Sequence, residues 1–273
     1  TFPLVQGIDV CGTIIGVGEG VDDARLGERV LVEPCLQHAN GERLKQPWFL
    51  GSECNGGFAQ YVKVAAPHAY KVESSLTDTQ LASFPCSYST AENMLTRANL
   101  KSGETVLITG ASGGVGSAAV QLAKARGARV LAVTSPSKTE ALKALGADEA
   151  LLRNEKLLHQ VERDSVDVVV DLVAGHEWSD LMDILRRGGR YAVAGAVGGA
   201  MVELDVRTLY LKDLSFFGCT VLEPEVFGSL VRLIEQGKIE PLVAASLPLK
   251  DIVKGQQMFT EKAFTGKIVL EVE

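Results

Sequence analysis

The feature that most constrains this chain is Thr105-Val-Leu-Ile-Thr109, which runs into Gly110-Ala-Ser-Gly113-Gly114-Val-Gly116 and then into apolar residues at helical spacing over 117–126. A buried strand that enters a glycine-rich turn at a helix N-terminus makes a pyrophosphate site. The glycines let backbone N–H groups approach phosphate oxygens, and the helix dipole favours the negative charge. The pattern departs from G-x-G-x-x-G, because Ala111 stands at the first glycine when Gly113 and Gly116 are aligned; Gly110, just before it, supplies the flexibility. The strand before, the helix after and a further apolar strand over 128–134 give the context that a bare glycine pattern lacks. Ser112, Gly113, Gly114, Val115 and Gly116 are therefore the candidate phosphate-binding residues. A tight strand–helix turn without a ligand is the plain alternative.

The rhythm around this motif predicts the fold class. From about Tyr88, expected strands at 105–109, 128–134, 147–152, 166–173, 190–195 and 214–221 alternate with helices at 117–126, 138–145 and 177–187. Continuous apolar strands separated by helices imply an α/β architecture, a doubly wound parallel sheet covered on both faces. Residues 1–85 read instead as β-rich, with apolar stretches at 11–17, 29–32 and 58–64 broken by glycine turns, the punctuation of a small barrel or sandwich. The polar stretch 36–54 reads as an irregular surface lobe. The tail returns to helices over 224–236 and near 251–260, then to a last strand over 267–272.

The end of the second strand of the sheet selects the cofactor. A site for NAD usually carries Asp or Glu roughly 20 residues past the fingerprint, where it accepts from the ribose hydroxyls. Here the sequence is Val133-Thr134-Ser135-Pro136-Ser137-Lys138, with hydroxyls and a lysine and no carboxylate. Thr134, Ser135 and Lys138 suit a 2′-phosphate, which a carboxylate would repel. NADP is the predicted cofactor and NAD the alternative. The competing reading of Lys138 is a solvated lysine in the first turn of a helix.

Composition bounds the remaining possibilities. A chain of 273 residues, 46% hydrophobic and 22% charged, has room for two modest domains of ordinary globular character. Its net charge of -7 argues against a nucleic-acid surface. No apolar run approaches the roughly 20 residues that span a bilayer. The expectation is a cytoplasmic protein with a small-molecule substrate and neither nucleic acid nor membrane as partner. Cys11, Cys35, Cys54, Cys86 and Cys219 are scattered and form no Cys-x-x-Cys pair, so neither a disulfide framework nor a local zinc clip is expected. His38, His68, His159 and His176 read as surface or loop residues.

Landmarks along the whole chain then add a resemblance. They are Phe2-Pro-Leu-Val-Gln-Gly7-Ile-Asp9-Val-Cys-Gly12, Val17-Gly18-Glu-Gly20-Val21, Gly27-Glu-Arg-Val30 and Gly56-Gly-Phe-Ala-Gln-Tyr61. Ala111-Ser-Gly-Gly-Val-Gly116, Leu145-Gly-Ala147, Gly188-Gly-Arg190 and Gly266-Lys-Ile-Val-Leu270 follow in order. Together they resemble the medium-chain dehydrogenase/reductase superfamily, which includes zinc alcohol dehydrogenases and quinone oxidoreductases. The resemblance implies a Rossmann domain behind a GroES-like β-barrel that is N-terminally incomplete here, since further barrel strands are expected before Phe2. It implies domains at 1–87 (barrel), 88–221 (NAD(P)-binding) and 222–273 (return to the barrel domain).

The same resemblance suggests roles. Thr90 matches a threonine beside the nicotinamide, Gly195 and Ala196 match the loop that passes it, and Lys267 matches a basic position near the cofactor phosphates. The strand over 214–221 resembles the edge that pairs across a homodimer. The zinc branch has Gly-His-Glu where this chain has Gly7-Ile8-Asp9, so Ile8 replaces a histidine ligand, and Cys86 stands alone at the second cysteine position. Cys86 reads more simply as a small buried residue. The structural-zinc cysteines are reduced to Cys35 and Cys54, with His38 nearby. Neither zinc is expected.

The implied activity is hydride transfer from NAD(P)H to a quinone, enone or similar carbonyl-conjugated acceptor. The proton comes from solvent or a hydroxyl such as Tyr88, although Tyr88 reads more simply as a packed aromatic, and the resemblance implies no catalytic side chain. One alternative is a zinc-dependent alcohol dehydrogenase with atypical ligands, among them Asp9 and Cys86. Another is a non-catalytic cofactor-binding protein resembling the lens crystallins recruited from this superfamily.

Overall fold

The computed structural model describes residues 2–261 and 264–272. The chain forms two compact units, Thr1–Ser89 with Phe227–Glu273, and Thr90–Val226. In chain order the first unit contributes β1 (Cys11–Thr13), β2 (Arg29–Val32), β3 (Cys35–Ala39), β4 (Glu42–Phe49), β5 (Ala69–Lys71) and α1 (Asp78–Leu81). Helix α2 (Pro85–Arg97) leads into the second unit, which holds β6 (Thr105–Ile108), α3 (Gly114–Ala125), β7 (Arg129–Thr134), α4 (Thr139–Ala144), β8 (Glu149–Leu152) and α5 (Leu157–Gln160). It continues with β9 (Val166–Asp171), α6 (Trp178–Ile184), β10 (Leu185–Val193), α7 (Val206–Leu211) and β11 (Ser215–Gly218). Helix α8 (Val226–Glu235) leads back to the first unit, which ends with β12 (Val243–Pro248), α9 (Ile252–Glu261) and β13 (Lys267–Glu271).

The second unit is the doubly wound sheet that the sequence predicts. Its six strands run in the order β11-β10-β9-β6-β7-β8, all parallel. Successive residues of a strand point to opposite faces. Val106, Leu107 and Ile108 of β6 are all fully buried, as are Val168, Val169 and Val170 of β9, so both faces are covered. The register sets Leu107 between Val169 and Leu131. Fully burying an aliphatic side chain is worth about 1.5–3 kcal/mol, so this central pair of strands anchors the unit.

In the first unit β1, β2 and β5 form an antiparallel sheet, β12 and β13 a parallel pair, and β3 and β4 a hairpin. Three local expectations need correction here. Residues 36–54 are not an irregular lobe: β3 and β4 pair through a two-residue turn at Asn40 (φ 51°) and Gly41 (φ 81°). Asn-Gly with both residues at positive φ is the favoured hairpin turn, because its twist matches that of the strands. Residues 58–64 are not a strand, although Val62 and Val64 pack against the cluster of Val32, Leu36 and Leu50. The backbone beside them bonds to a loop instead, with Gly56, Gly57 and Phe58 N–H donating to Val5, Gly7 and Gln6 carbonyls at 2.8 Å each.

His68 is not a surface residue. It is 3% exposed, and its Nδ1 lies 2.7 Å from the buried Glu33 carboxylate. Nε2 accepts from the Gln37 and His38 N–H groups at 3.0 Å, so the proton resides on Nδ1 and donates to Glu33. In the second unit, the helix expected over 177–187 stops at Ile184, and 185–187 already belong to β10. The shift in register between Leu185 and Arg190 absorbs the Gly188–Gly189 turn inside that strand. No helix among the described residues is long and apolar enough to cross a membrane.

Candidate functional site

Open parallel sheets bind ligands outside the carboxyl ends of their strands, where the strand order reverses. Here β7 and β8 extend the sheet on one side of β6, and β9, β10 and β11 on the other. The switch point is therefore between β6 and β9, and the glycine turn leaves β6 at that place.

The turn is shaped for an anion. Gly110 adopts φ 57° and its carbonyl accepts from Gly113 N–H at 3.0 Å, which closes the turn. Helix α3 then begins at Gly114, and the first-turn N–H groups of Gly114, Val115 and Gly116 have no intrahelical acceptors. The Ser117 hydroxyl bonds back to the Gly113 carbonyl at 2.8 Å. Two of the glycines do different jobs. A Cβ added to Gly116 would lie 2.6 Å from Ala111 Cα, so that glycine lets helix and turn approach. A Cβ added to Gly113 would meet only the Gly110 carbonyl oxygen, at 3.4 Å, so Gly113 is exposed and leaves the approach to the helix end open.

At the neighbouring strand end, the Thr134 hydroxyl is buried and has no hydrogen-bond partner among the described residues. Ser135 is 3.3 Å from Ser137 through their hydroxyls, and Lys138 is half-buried in the short turn of helix that follows. On the other side of the switch point Gly195 packs so closely that an added Cβ would be 2.6 Å from the Leu172 carbonyl oxygen. Ser112–Gly116, Thr134–Lys138 and Gly195–Ala196 thus share the carboxyl edge of one sheet. Thr90 is half-buried on α2, where the second unit begins. Lys267 belongs to the first unit.

Two carboxylates hold these regions: Asp171, which the sequence did not single out, and Asp9, which it offered only as an atypical metal ligand. Asp171, at the end of β9, is completely buried. It accepts from the Thr109 hydroxyl at 2.5 Å, from the Tyr191 hydroxyl at 2.6 Å, and from Val173 and Ala174 N–H at 2.9 and 3.0 Å. Burial, then the hydrogen bond and charge of Asp171, push the Tyr191 phenol well above its ordinary range. The signal in the sequence is an acid that closes an otherwise apolar strand, Val166-Asp-Val-Val-Val-Asp171. In the first unit, Asp9 accepts from Cys86 N–H at 2.6 Å through one oxygen and from the Lys267 ammonium at 2.7 Å through the other. Lys267 also donates to Ser87 Oγ at 3.3 Å. Burial opposes its charge, yet the charge and hydrogen bond of Asp9, with the Cys86 thiol nearby, hold Lys267 above the usual lysine range. Tyr88 is a packed aromatic, as expected: it is buried edge-on to Phe84 and its hydroxyl donates to the Glu240 carbonyl at 2.7 Å.

Comparison with known proteins agrees with this architecture. Residues 1–74 match the alcohol dehydrogenase GroES-like domain, and residues 114–236 match the zinc-binding dehydrogenase family. An acryloyl-coenzyme A reductase of Metallosphaera sedula is 34% identical over 279 residues, covering 98% of this chain and 83% of the relative. A human quinone oxidoreductase is 28% identical, covering 98% of this chain and 80% of its own length. The solved structure of the 2-octenoyl-CoA carboxylase reductase CinF, in complex with NADP and 2-octenoyl-CoA, superposes with a TM-score of 0.87 at 28% identity, covering 98% of this chain and 68% of that one.

Proposed function

Because the chain belongs to the medium-chain dehydrogenase/reductase superfamily, and so is a nicotinamide-dependent oxidoreductase, we propose that it is an NADP-preferring reductase of carbonyl-conjugated double bonds that works without catalytic zinc. The acceptors proposed are enoyl thioesters, enones and quinones, the first suggested by the acryloyl-coenzyme A reductase and CinF likenesses.

The observation that carries this reading is the donor set around Cys86. A catalytic zinc takes three protein ligands and keeps one open position. Ile8 has no lone pair to offer, and Asp9 already accepts from a cation and an N–H. Among the described residues no group of three or more His, Cys, Asp or Glu is arranged to hold a metal ion. Ile8 and the occupied Asp9 carboxylate thus speak against a catalytic zinc at Cys86. A simple ketone reduced without an electrophile would leave a localised alkoxide, which is costly. A conjugated acceptor avoids that charge. Hydride adds at the β-carbon, the π electrons move to the carbonyl oxygen, and the resulting enolate takes a proton from solvent at the α-carbon.

The nicotinamide cofactor, when bound, supplies that hydride. The chain's part is to bind and orient. The α3 N-terminus takes the pyrophosphate through the N–H groups of Gly114, Val115 and Gly116, with Ser112 and Gly113 at its rim. Thr134, whose buried hydroxyl has no partner among the described residues, takes the adenosine ribose with Ser135 and Lys138, and residues 134–138 carry no carboxylate to oppose a 2′-phosphate. Gly195, Ala196 and Thr90 serve the nicotinamide half. Lys267 is assigned to Asp9, since its ammonium is held there. The outer side of β11 has no partner strand within the sheet, and Phe216, Tyr210 and Leu211 are exposed around it, so a homodimer through 214–221 is part of the proposal.

Zinc per chain, measured on protein purified without chelator, and NADPH oxidation with an enoyl thioester test this reading together. The expected result is negligible zinc and turnover of the conjugated acceptor. Stoichiometric zinc with alcohol oxidation would overturn it in favour of the zinc-dependent branch. Equal dissociation constants for NADPH and NADH would overturn the NADP preference alone.

A further inference from the structure

We propose that Asp171, acting through Thr109, is a positioning residue that holds the nicotinamide half of the crevice in its binding shape before the dinucleotide arrives. The inference rests on the dinucleotide-binding reading of the glycine turn.

Thr109 follows β6 and Asp171 ends β9, so they face each other across the switch point. The Thr109 hydroxyl donates to Asp171 Oδ1 and accepts from Leu172 N–H at 2.9 Å. The same Oδ1 accepts from Val173 and Ala174 N–H, while Oδ2 takes the Tyr191 hydroxyl from β10. One carboxylate therefore joins the ends of β6, β9 and β10. A buried carboxylate without a counter-ion is costly unless donors replace the lost water, and here four donors do so.

What these bonds hold is a strained loop. Ala174 sits at φ 54° and ψ −145°, a region that L-residues avoid and that persists only when the surroundings impose it. The loop is wedged between the two others at this edge. A Cβ on Gly110 would come within 3.2 Å of Val173 Cγ2, and Gly198 N–H donates to the Val173 carbonyl at 2.8 Å. Gly195 lies against Leu172. Residues 172–174 thus separate the glycine turn from the Gly195–Ala196 loop, and their shape sets the width of that half of the crevice. Ordering this wall in advance lowers the entropy lost on binding. The residues assigned to the adenosine half follow β7, on the far side of β6 from β9, and take no part in the network.

The test titrates full-length protein with NADPH and, separately, with adenosine 2′,5′-bisphosphate, which lacks the nicotinamide half. Thr109→Val should weaken NADPH about tenfold, the scale of one hydrogen bond lost from a buried network, and leave the bisphosphate within about twofold. Thr109→Ser, which keeps the hydroxyl, should restore NADPH binding. Equal weakening of both probes, or of neither, overturns the positioning role. An independent arm needs no variant: the amides of Leu172, Val173 and Ala174 should resist hydrogen exchange in the ligand-free wild type, and rapid exchange there overturns the proposal. A wild type that binds neither NADPH nor NADH sinks the dinucleotide reading itself, a result separable from any loss of discrimination in the variants.

Discussion

Two aspartates, one in each unit, are stabilised in opposite ways. Asp171 is completely buried and its partners are neutral: two hydroxyls and two backbone amides. Asp9 keeps a side-chain exposure of 16% and answers to a cation, Lys267, whose own side chain is 26% exposed. The difference lies in what each arrangement fixes. Hydrogen bonds weaken steeply with angle and distance, so several converging on one carboxylate lock the segments that donate them. Coulomb attraction falls off slowly, so an ion pair ties two parts of the chain together while tolerating movement. The second unit uses the exacting device where a loop must keep a strained shape. The first uses the tolerant one to join β13 to the segment before β1.

The strongest way to break this contrast is Asp171→Ala. It strands four donors, two buried hydroxyls and two half-buried amides, at about 1–3 kcal/mol for each unsatisfied buried group, and we expect a loss of about 4 kcal/mol in urea unfolding. A loss below about 1 kcal/mol would mean that water or relaxation replaces the network, and the contrast would collapse.

Lys267→Met should cost less, about 2 kcal/mol, because Asp9 keeps some contact with solvent and Cys86 N–H remains. This variant also carries a pH signature. Lys267 is raised above 10.5 in the folded protein, so the folded state holds the proton more tightly than the unfolded one. Its contribution is full below that value and is lost as pH rises through the folded pKa. The gap in Tm between wild type and variant should therefore be constant from about pH 6 to pH 9 and close in stronger alkali. A gap that closes on acidification instead would show that the ion pair is not its source.

Tyr191→Phe should have the smallest effect. It removes one donor, to Oδ2, and leaves the bonds to Oδ1 that hold the loop, so about 1 kcal/mol of stability goes while NADPH affinity stays within about twofold. A large fall in affinity would place the tyrosine in the positioning device and enlarge it beyond Asp171 and Thr109.

The parallel sheet was legible because its strands are apolar on both faces and its helices repeat at helical spacing, so local pattern and burial agree. The glycine turn between β6 and α3 was legible for a related reason: glycines clustered at a strand–helix junction mark a tight turn. The β3–β4 hairpin was not, because Glu42, Arg43, Lys45 and Gln46 are exposed and give its second strand no apolar face to read. Only the Asn40-Gly41 pair announced it. Residues 58–64 misled in the other direction, since Val62 and Val64 are apolar and packed but their backbone finds partners outside any ladder. Asp171 stayed hidden because a strand-terminal acid usually meets water. Nothing local says that Thr109, 62 positions earlier, and Tyr191, 20 later, will close over it.

The division of the chain also has a consequence for biosynthesis. Thr90–Val226 is one continuous stretch, so all its contacts can close while the ribosome is still adding the tail. The other unit is interrupted by it. The bond between Asp9 and Lys267 spans 258 positions and cannot form until translation has passed β13. Throughout that interval the early segment waits as an unfinished set of small sheets with open edges, the form of nascent chain most in need of a chaperone.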